Sequence, residues 1–327
     1  MRGRHKRALA ALGAGLVLGT FAWPVERPPQ RRPALVSMAA ERVLLDEGDP
    51  SRSRLGGLKL LDLWVLSSRD VRFGGISAMH VEGGQVLAFS DSGSVFRFPV
   101  PRRAGALPLR IERLARGPGD GSRKSDRDVE SIAALGAQAW LLFEGHNQVW
   151  RYRRPDLAVE ASAAPAALRE LPWSRGPEAM ARLPDGRFLV FSEGPVADDG
   201  TTPLILFAGD PALAATRTER LRYRPPAGYR PTEAALLPDG RILVLNRNFD
   251  LWRGWEAILS IATRSPVRAG AVVEARTLAA FTGRVTRDNL EAMTVTREGR
   301  RTIVWIASDD NFLPIQRTLL MKFALTE

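Results

Sequence analysis

Short continuous apolar runs, four to six residues long, recur through this chain and are separated by polar or glycine-containing turns. Phe188 to Phe191 and Ile242 to Leu245 are typical. Runs of this length suit strands buried on both faces, because a helix would need a longer segment with a 3.6-residue period. Three of the turns between runs carry hairpin chemistry: Glu82-Gly83-Gly84, Pro184-Asp185-Gly186 and Pro238-Asp239-Gly240. Glycine accepts a positive φ there without steric cost.

The runs belong to a larger repeat. Ser77, Glu130, Glu178, Glu233 and Glu291 each open a short apolar strand and stand 53, 48, 55 and 58 residues apart. Each is answered downstream by a polar or acidic residue: Ser90-Asp91, Glu144, Ser192-Glu193, Asn246 and Ser308-Asp309-Asp310. Self-similarity at about 40–50 residues, with several short strands per unit, marks propeller blades. The fold class expected is all-β, a β-propeller of five or six four-stranded blades. A sixth blade would have to lie in the weakly patterned stretches 102–127 or 156–173. The strand predicted at Leu58 to Leu66 has no anchor of its own, and the C-terminal repeat ends one strand short at Leu325. An N-terminal strand completing the last blade supplies what is missing and removes an open sheet edge.

In a propeller the first strand of every blade lines the central channel, so the anchors converge although they are distant in sequence. An antiparallel hairpin returns its chain to the starting edge. Glu130 should therefore meet Glu144, Glu178 should meet Glu193, and Glu291 should meet Asp309 or Asp310 at one mouth. Carboxylates so placed repel unless positive charge sits among them. A hard cation such as Ca²⁺ is one neutraliser, since the donors are oxygens without a histidine or cysteine set. The candidate metal ligands are Glu130, Glu144, Glu178, Glu193, Glu233, Glu291, Asp309 and Asp310. Arginine is the other neutraliser: Arg127, Arg175 and Arg230 lie three residues before their glutamates, and Arg287 four before Glu291. Arg72, Arg247 and Arg317 add charge near the same rim. One reading is a purely structural ring of Arg–Glu pairs; the other is a cation and arginines gripping an anionic ligand.

Composition narrows the alternatives. The chain has 327 residues, 45% of them hydrophobic, and no cysteine, which excludes disulfides, thiolate metal sites and cysteine nucleophiles. The net charge of +11 is concentrated at the N-terminus, where Arg2, Arg4, Lys6, Arg7, Arg27, Arg31 and Arg32 face Glu26 alone. No basic stripe with interleaved aromatics remains, so nucleic acid is not an expected partner. Basic residues followed by the apolar stretch Ala8 to Trp23 read as a signal peptide or N-terminal membrane anchor over residues 1–23. A Pro/Arg-rich linker (24–54) and one propeller domain (55–327) follow. The location expected is the periplasm or outside the cell, and the protein is expected to be a monomer. His80 and His146 read as strand or loop histidines. Gly75-Ile76-Ser77-Ala78-Met79 lacks the final glycine of a nucleophile elbow. Phosphate-loop, dinucleotide and zinc-helix motifs are absent from the sequence.

Asp288-Asn289-Leu290-Glu291-Ala292-Met293, followed by Ile306-Ala307-Ser308-Asp309-Asp310-Asn311-Phe312 and Gln316-Arg317-Thr318-Leu319-Leu320, resembles the closing motif of the bacterial phytase-like family, whose members are described by an esterase-like activity of phytase. Gly74-Gly75-Ile76-Ser77, Ser90-Asp91, Asp128-Val129-Glu130 and Phe143-Glu144 are similar to that family's earlier signatures. The resemblance spans about residues 55–325. It implies a propeller, export, and hydrolysis of phosphate or carboxylic esters with calcium held by acidic side chains; Glu130, Glu178, Glu291, Asp309 and Asp310 map to that role. Two departures bear on metal stoichiometry: Glu-Ala replaces Glu-Gly after the anchor in the last three blades, and Asn246-Arg247 stands where another acid is expected. The catalytic candidates are Glu130 and Glu291 with Arg317 and Arg72, acting on a small anionic ester or phosphorylated substrate. A sugar-lactonase type of propeller, to which Asn246 and Asn289 point, and a non-catalytic binding or scaffold propeller are the alternatives.

Overall fold

The structure is a computed structural model that describes residues 32–172, 175–262 and 268–327. The expected signal or anchor segment, residues 1–23, lies outside these. Among the described residues no helix is long and apolar enough to cross a membrane.

Three N-terminal strands, β1 (Ala34–Arg42), β2 (Arg54–Leu55) and β3 (Leu58–Ser68), precede the repeats. Blade 1 comprises β4 (Ile76–Glu82), β5 (Gln85–Ser90), β6 (Ser94–Pro99) and β7 (Gly105–Arg113). Blade 2 comprises β8 (Val129–Leu135), β9 (Gln138–Phe143), β10 (Gln148–Arg153) and β11 (Ala158–Ala163). A single helical turn, α1 (Ala166–Arg169), leads to blade 3: β12 (Pro177–Arg182), β13 (Phe188–Ser192), β14 (Thr202–Phe207) and β15 (Thr218–Arg224). Blade 4 is β16 (Arg230–Leu236), β17 (Ile242–Asp250), β18 (Gly254–Ala262) and β19 (Val272–Phe281). Blade 5 is β20 (Asn289–Glu298), β21 (Arg301–Asp309) and β22 (Thr318–Leu325), closed by β3 through Thr318↔Leu66 to Leu325↔Leu58. The fold is a five-bladed propeller whose last blade is completed from the N-terminus. Among the described residues, the stretches that could have held a sixth blade supply the outer strands β7 and β11, a 3-10 turn at Lys124–Arg127, the turn α1 and loops.

Residues 34–42 were expected within a linker and instead form β1. This strand pairs with β3 on one side and β7 on the other, so a single segment covers the outer edges of blades 5 and 1. Its alternation of exposed and buried residues places Met38 and Ala40 inward, a pattern the neighbouring Pro and Arg residues mask in sequence. The outer strands of blades 3 and 4 join directly in parallel, Arg222↔Val272 to Arg224↔Glu274.

Each blade buries both faces against its neighbours, which explains the unbroken apolar runs. Five apolar clusters fill the five seams. Ala78, Phe89 and Val95 meet Val129, Leu141 and Phe143 between blades 1 and 2. Leu189, Phe191 and Leu204 meet Val244, Ala262 and Val273 between blades 3 and 4. The inner strands β4, β8, β12, β16 and β20 contact one another in sequence, and β20 returns to β4. At the Gly83-Gly84 turn both glycines have positive φ, 58° and 76°, the backbone that tight antiparallel hairpins require.

Truncating Phe191, fully buried in the seam between blades 3 and 4 and edge-on to Tyr223 at 5.2 Å, opens a cavity that only partly relaxes. Phe191→Ala should cost about 3–5 kcal/mol, read as a lowered midpoint in urea unfolding at an unchanged slope.

Candidate functional site at the propeller mouth

Every inner strand carries one extra residue at the same height. The pairing skips Ser77 in β4, Glu130 in β8, Glu178 in β12, Thr232 in β16 and Glu291 in β20. A bulge of this kind leaves one residue unpaired and re-aims its side chain. Two positions before each bulge, the strand faces Asp91, Glu144, Glu193, Arg247 or Asp309 on the second strand of its blade. These ten equivalent positions form two rings at one mouth.

Blade 4 departs from the sequence-based alignment by one residue. Thr232, not Glu233, is the bulge. Its hydroxyl donates to Leu245 O and to Leu290 O of blade 5, both at 3.4 Å. Ser77 does the same in blade 1, donating to Phe89 O and to Val129 O of blade 2. In these two blades the bulged hydroxyl ties one blade to the next. Glu233 lies one step deeper and is fully buried. Its Oε1 accepts from Ser131 Oγ at 2.6 Å on the non-adjacent blade 2, and Ser131 Oγ accepts from Met180 N at 3.0 Å. The other blades place Ala78, Ser131, Ala179 and Ala292 at that height, and these small residues leave room for the one long side chain. Burial holds the Glu233 carboxyl well above the usual carboxylate range despite its hydrogen bonds. Its carboxyl ties blade 4 to blade 2 beneath the mouth and lies in neither group of clustered carboxylates.

The remaining acids converge. Oxygens of Asp128, Glu130 and Glu144 lie within 4.8 Å of one another, as do those of Glu144, Glu178 and Glu193, so Glu144 is common to both groups. Two glycines permit this crowding. A Cβ at Gly176, whose amide donates to Glu144 Oε1 at 3.0 Å, would stand 2.8 Å from Glu144 Cγ. A Cβ at Gly75 would stand 2.6 Å from the Phe312 ring and 2.8 Å from Asp91 Oδ1.

Burial, reinforced by neighbouring carboxylates, raises Asp128 to about 7 and holds Glu130, Glu178 and Asp309 well above their ordinary values. Burial also raises Glu144 and Glu291. Asp128 lies close to Glu130, and Glu144 close to Glu178, and carboxyls so near one another must carry a proton or a cation between them. Lys124 pairs with Asp91 at 2.6 Å, and Arg247 pairs with Glu291. Burial opposes the charge on both cations, and the surrounding carboxylates outweigh it. Among the described residues these are the only ion pairs made by the mouth acids. The ring of Arg–Glu pairs, one of the two readings of the sequence, is not formed among the described residues.

The other arginines are spent elsewhere. Arg127 donates to the carbonyls of Leu114, Pro118 and Asp126. Arg230 donates to Tyr229 O and Arg287 to Trp255 O. Arg72 forms a fork with Asp70, and Arg317 reaches the Asp288 carboxylate and Arg287 O. Neither catalytic arginine candidate pairs with a mouth carboxylate. Asp310 accepts from Gly75 N, Phe312 N and Thr318 Oγ1, tying blade 5 to blade 1. His146 binds Asp126 at 3.0 Å behind the mouth. Asp91, Asp128 and Lys124 were not among the sequence-derived candidates. Asp91 and Asp128 were legible as the residues opposite and before the anchors, whereas Lys124, in a 3-10 turn before β8, carried no repeat signal.

The structure is thus a five-bladed propeller with an acid-lined mouth holding two cationic groups, a partly buried Arg247 and a more exposed Lys124. The chain belongs to the phytase-like family, described as esterase-like activity of phytase, whose model matches residues 71–312. That interval contains every bulge and every mouth acid. No curated protein sequence matches the chain. Similar solved structures include glutaminyl cyclase of Myxococcus xanthus, 13% identical over 83% of this chain and 97% of that one with a TM-score of 0.47. A putative 6-phosphogluconolactonase from Bacteroides uniformis is 10% identical over 87% and 95% with a TM-score of 0.39.

A carboxyl with a raised pKa binds its proton more tightly in the folded chain than in the unfolded one. The stability it contributes is complete below the ordinary value and lost as pH rises through the raised one. For Asp128 that window runs from 3.8 to about 7. The melting temperature of chelator-treated protein should therefore fall as pH rises across this interval, and Glu130→Gln with Glu178→Gln should flatten the fall.

Proposed function

We propose that this chain is an exported ester hydrolase acting on phosphate esters at the acidic mouth, with a divalent cation, Ca²⁺, as its cofactor. The observation that carries the reading is the pair of three-carboxylate groups sharing Glu144. An all-oxygen donor set, crowded and short of positive charge, fits a hard cation of variable coordination number. Asp128, Glu130, Glu144, Glu178 and Glu193 would hold it. When bound, such a cation polarises a phosphoryl oxygen and makes a water molecule more acidic.

The protein's own groups account for the rest. Asp91 holds the Lys124 ammonium at the edge of the acid cluster, where it can donate to a substrate oxygen. Glu291 and Asn289 fix the Arg247 guanidinium on the opposite side, Asn289 Oδ1 accepting at 3.0 Å. Two cations on either side of the carboxylates orient a doubly charged ester group and offset charge developing on its oxygens. Arg247 stands on a blade strand, β17, so its guanidinium is placed in advance of binding. Export is supported by the basic residues and apolar stretch at the start of the sequence. Lactone hydrolysis is less favoured: Asn246, the asparagine nearest blade 4's bulge, is fully buried and engaged with Tyr223 and Ser260.

Titrating chelated protein with Ca²⁺ should raise its melting temperature, most strongly at pH 8, where the carboxyls must otherwise lose their protons. Glu144→Gln should abolish most of that rise and lower phosphomonoester turnover at least 100-fold. An unchanged rise in this variant, or turnover indifferent to chelator, would refute the assignment.

A further inference from the structure

The hairpin between β17 and β18 is longer than its blade needs. The inner strand β16 pairs with β17 only as far as Arg247, and the outer strand β19 pairs with β18 only from Ala257. Between them the two strands continue to pair through Asn248↔Glu256, Phe249↔Trp255 and Asp250↔Gly254. The arm therefore projects past both flanking strands at the end of the blade where Arg247 faces the acids. Its tip is apolar and uncovered: Trp252 is 94% exposed, Leu251 64% and Phe249 40%.

Solvent normally disfavours such a tip, yet this one is held in place. Asp250 Oδ1 accepts from Trp252 N at 2.9 Å and Arg253 N at 3.0 Å, closing the turn. Arg287 donates to Trp255 O at 2.7 Å and to Arg253 O at 2.9 Å, pinning the returning strand. Phe249 packs on Trp255 at 4.8 Å between centroids, and the Arg247 guanidinium lies 5.3 Å from the Trp255 ring. The same guanidinium is paired with Glu291. Acid, guanidinium, indole and phenyl ring thus form one continuous stack leading from the mouth to the arm.

The opposite loop adds to this wall. Trp255 Nε1 and the Gln316 amide lie 2.5 Å apart, joining the arm to the 310–317 loop, where Ile315 is 88% exposed. In that loop Asn311 and Phe312 both adopt positive φ, 48° and 52°. For a bulky residue such as phenylalanine this conformation is strained and persists only when its surroundings enforce it. It sets the Phe312 ring over Gly75 beside Asp91 Oδ1, a buried oxygen without a hydrogen-bond partner.

We propose that, if the mouth is the ester-hydrolysing site described above, the arm is its leaving-group subsite. The geometry points to esters whose alcohol portion is aromatic or extended and apolar, with the anionic group at Lys124, Arg247 and the acids and the ring laid against Trp252 and Phe249. A polyhydroxylated, multiply phosphorylated alcohol would gain nothing from this wall. One stacked aromatic contact is worth about tenfold in affinity.

The test compares 1-naphthyl phosphate with glycerol 2-phosphate in the presence of Ca²⁺, and follows binding of non-hydrolysable 1-naphthylmethylphosphonate by tryptophan fluorescence. Wild-type protein should favour the naphthyl ester by tenfold or more in kcat/KM, mainly through KM. Trp252→Ala, at an exposed position that folding does not need, should reduce that preference several-fold and weaken phosphonate binding about tenfold. Phe249→Ser should act in the same direction. Preference and phosphonate binding unaltered in both variants, with glycerol 2-phosphate still turned over, would overturn the subsite and leave the hydrolase reading standing. Absence of all ester turnover in the wild-type protein would refute the hydrolase and with it the leaving-group role, and Trp252-dependent phosphonate binding would then mark the arm as a contact for bound aromatic anions only. If Trp252→Ala instead weakened binding only to phosphatidylcholine vesicles, the arm would be a lipid contact and the proposal would fail.

Discussion

Closing five four-stranded sheets around one axis brings the inner strands so near each other that any side chain pointing inward becomes buried. The rest of the molecule answers to that confinement. A bulge at a common height in β4, β8, β12, β16 and β20 turns one residue per blade out of the ladder. In two blades that residue is a hydroxyl that stitches neighbouring inner strands together. In the other three it is a glutamate directed toward the mouth, so the same backbone device serves cohesion in one place and chemistry in another.

Burial then decides the electrostatics. Eight carboxylates, from Asp91, Asp128, Glu130, Glu144, Glu178, Glu193, Glu291 and Asp309, share two cations, Lys124 and Arg247. Water would screen such a cluster on an open surface, but inside the mouth it leaves protons shared between carboxyls or demands a further positive charge. The seams between blades supply the countervailing stability, with a continuous apolar cluster in each. The protein holds an unfavourable polar centre inside a favourable apolar ring, an arrangement typical of sites whose strain is offset by the surrounding scaffold.

Much of this was legible without coordinates. The repeat spacing, the hairpin glycines and the orphan strand near Leu58 gave the propeller and its N-terminal closure. The pairings of Glu130 with Glu144 and Glu178 with Glu193 followed from hairpin geometry. Glu233 was misplaced because alignment by residue type favoured a glutamate over the adjacent threonine, and only the register shift at Thr232 distinguishes them. The arginines near the glutamates in sequence were equally misleading. Proximity in sequence does not aim a side chain, and Arg127, Arg230 and Arg287 satisfy backbone carbonyls instead of the mouth acids.

The amino-acid order by itself determined the repeating unit, the period of the strands and the chemical character of the residues placed at each blade's opening, and left the choice between five and six blades to the structure. These depend on local pairing and on apolar alternation, which any segment displays in its own composition. Which acids crowd together, which arginine reaches the mouth, and which blade extends an aromatic arm from the same end were decided only in three dimensions. Those relations join residues from different blades, and their distances come from ring closure and bulge height, quantities that no single repeat contains.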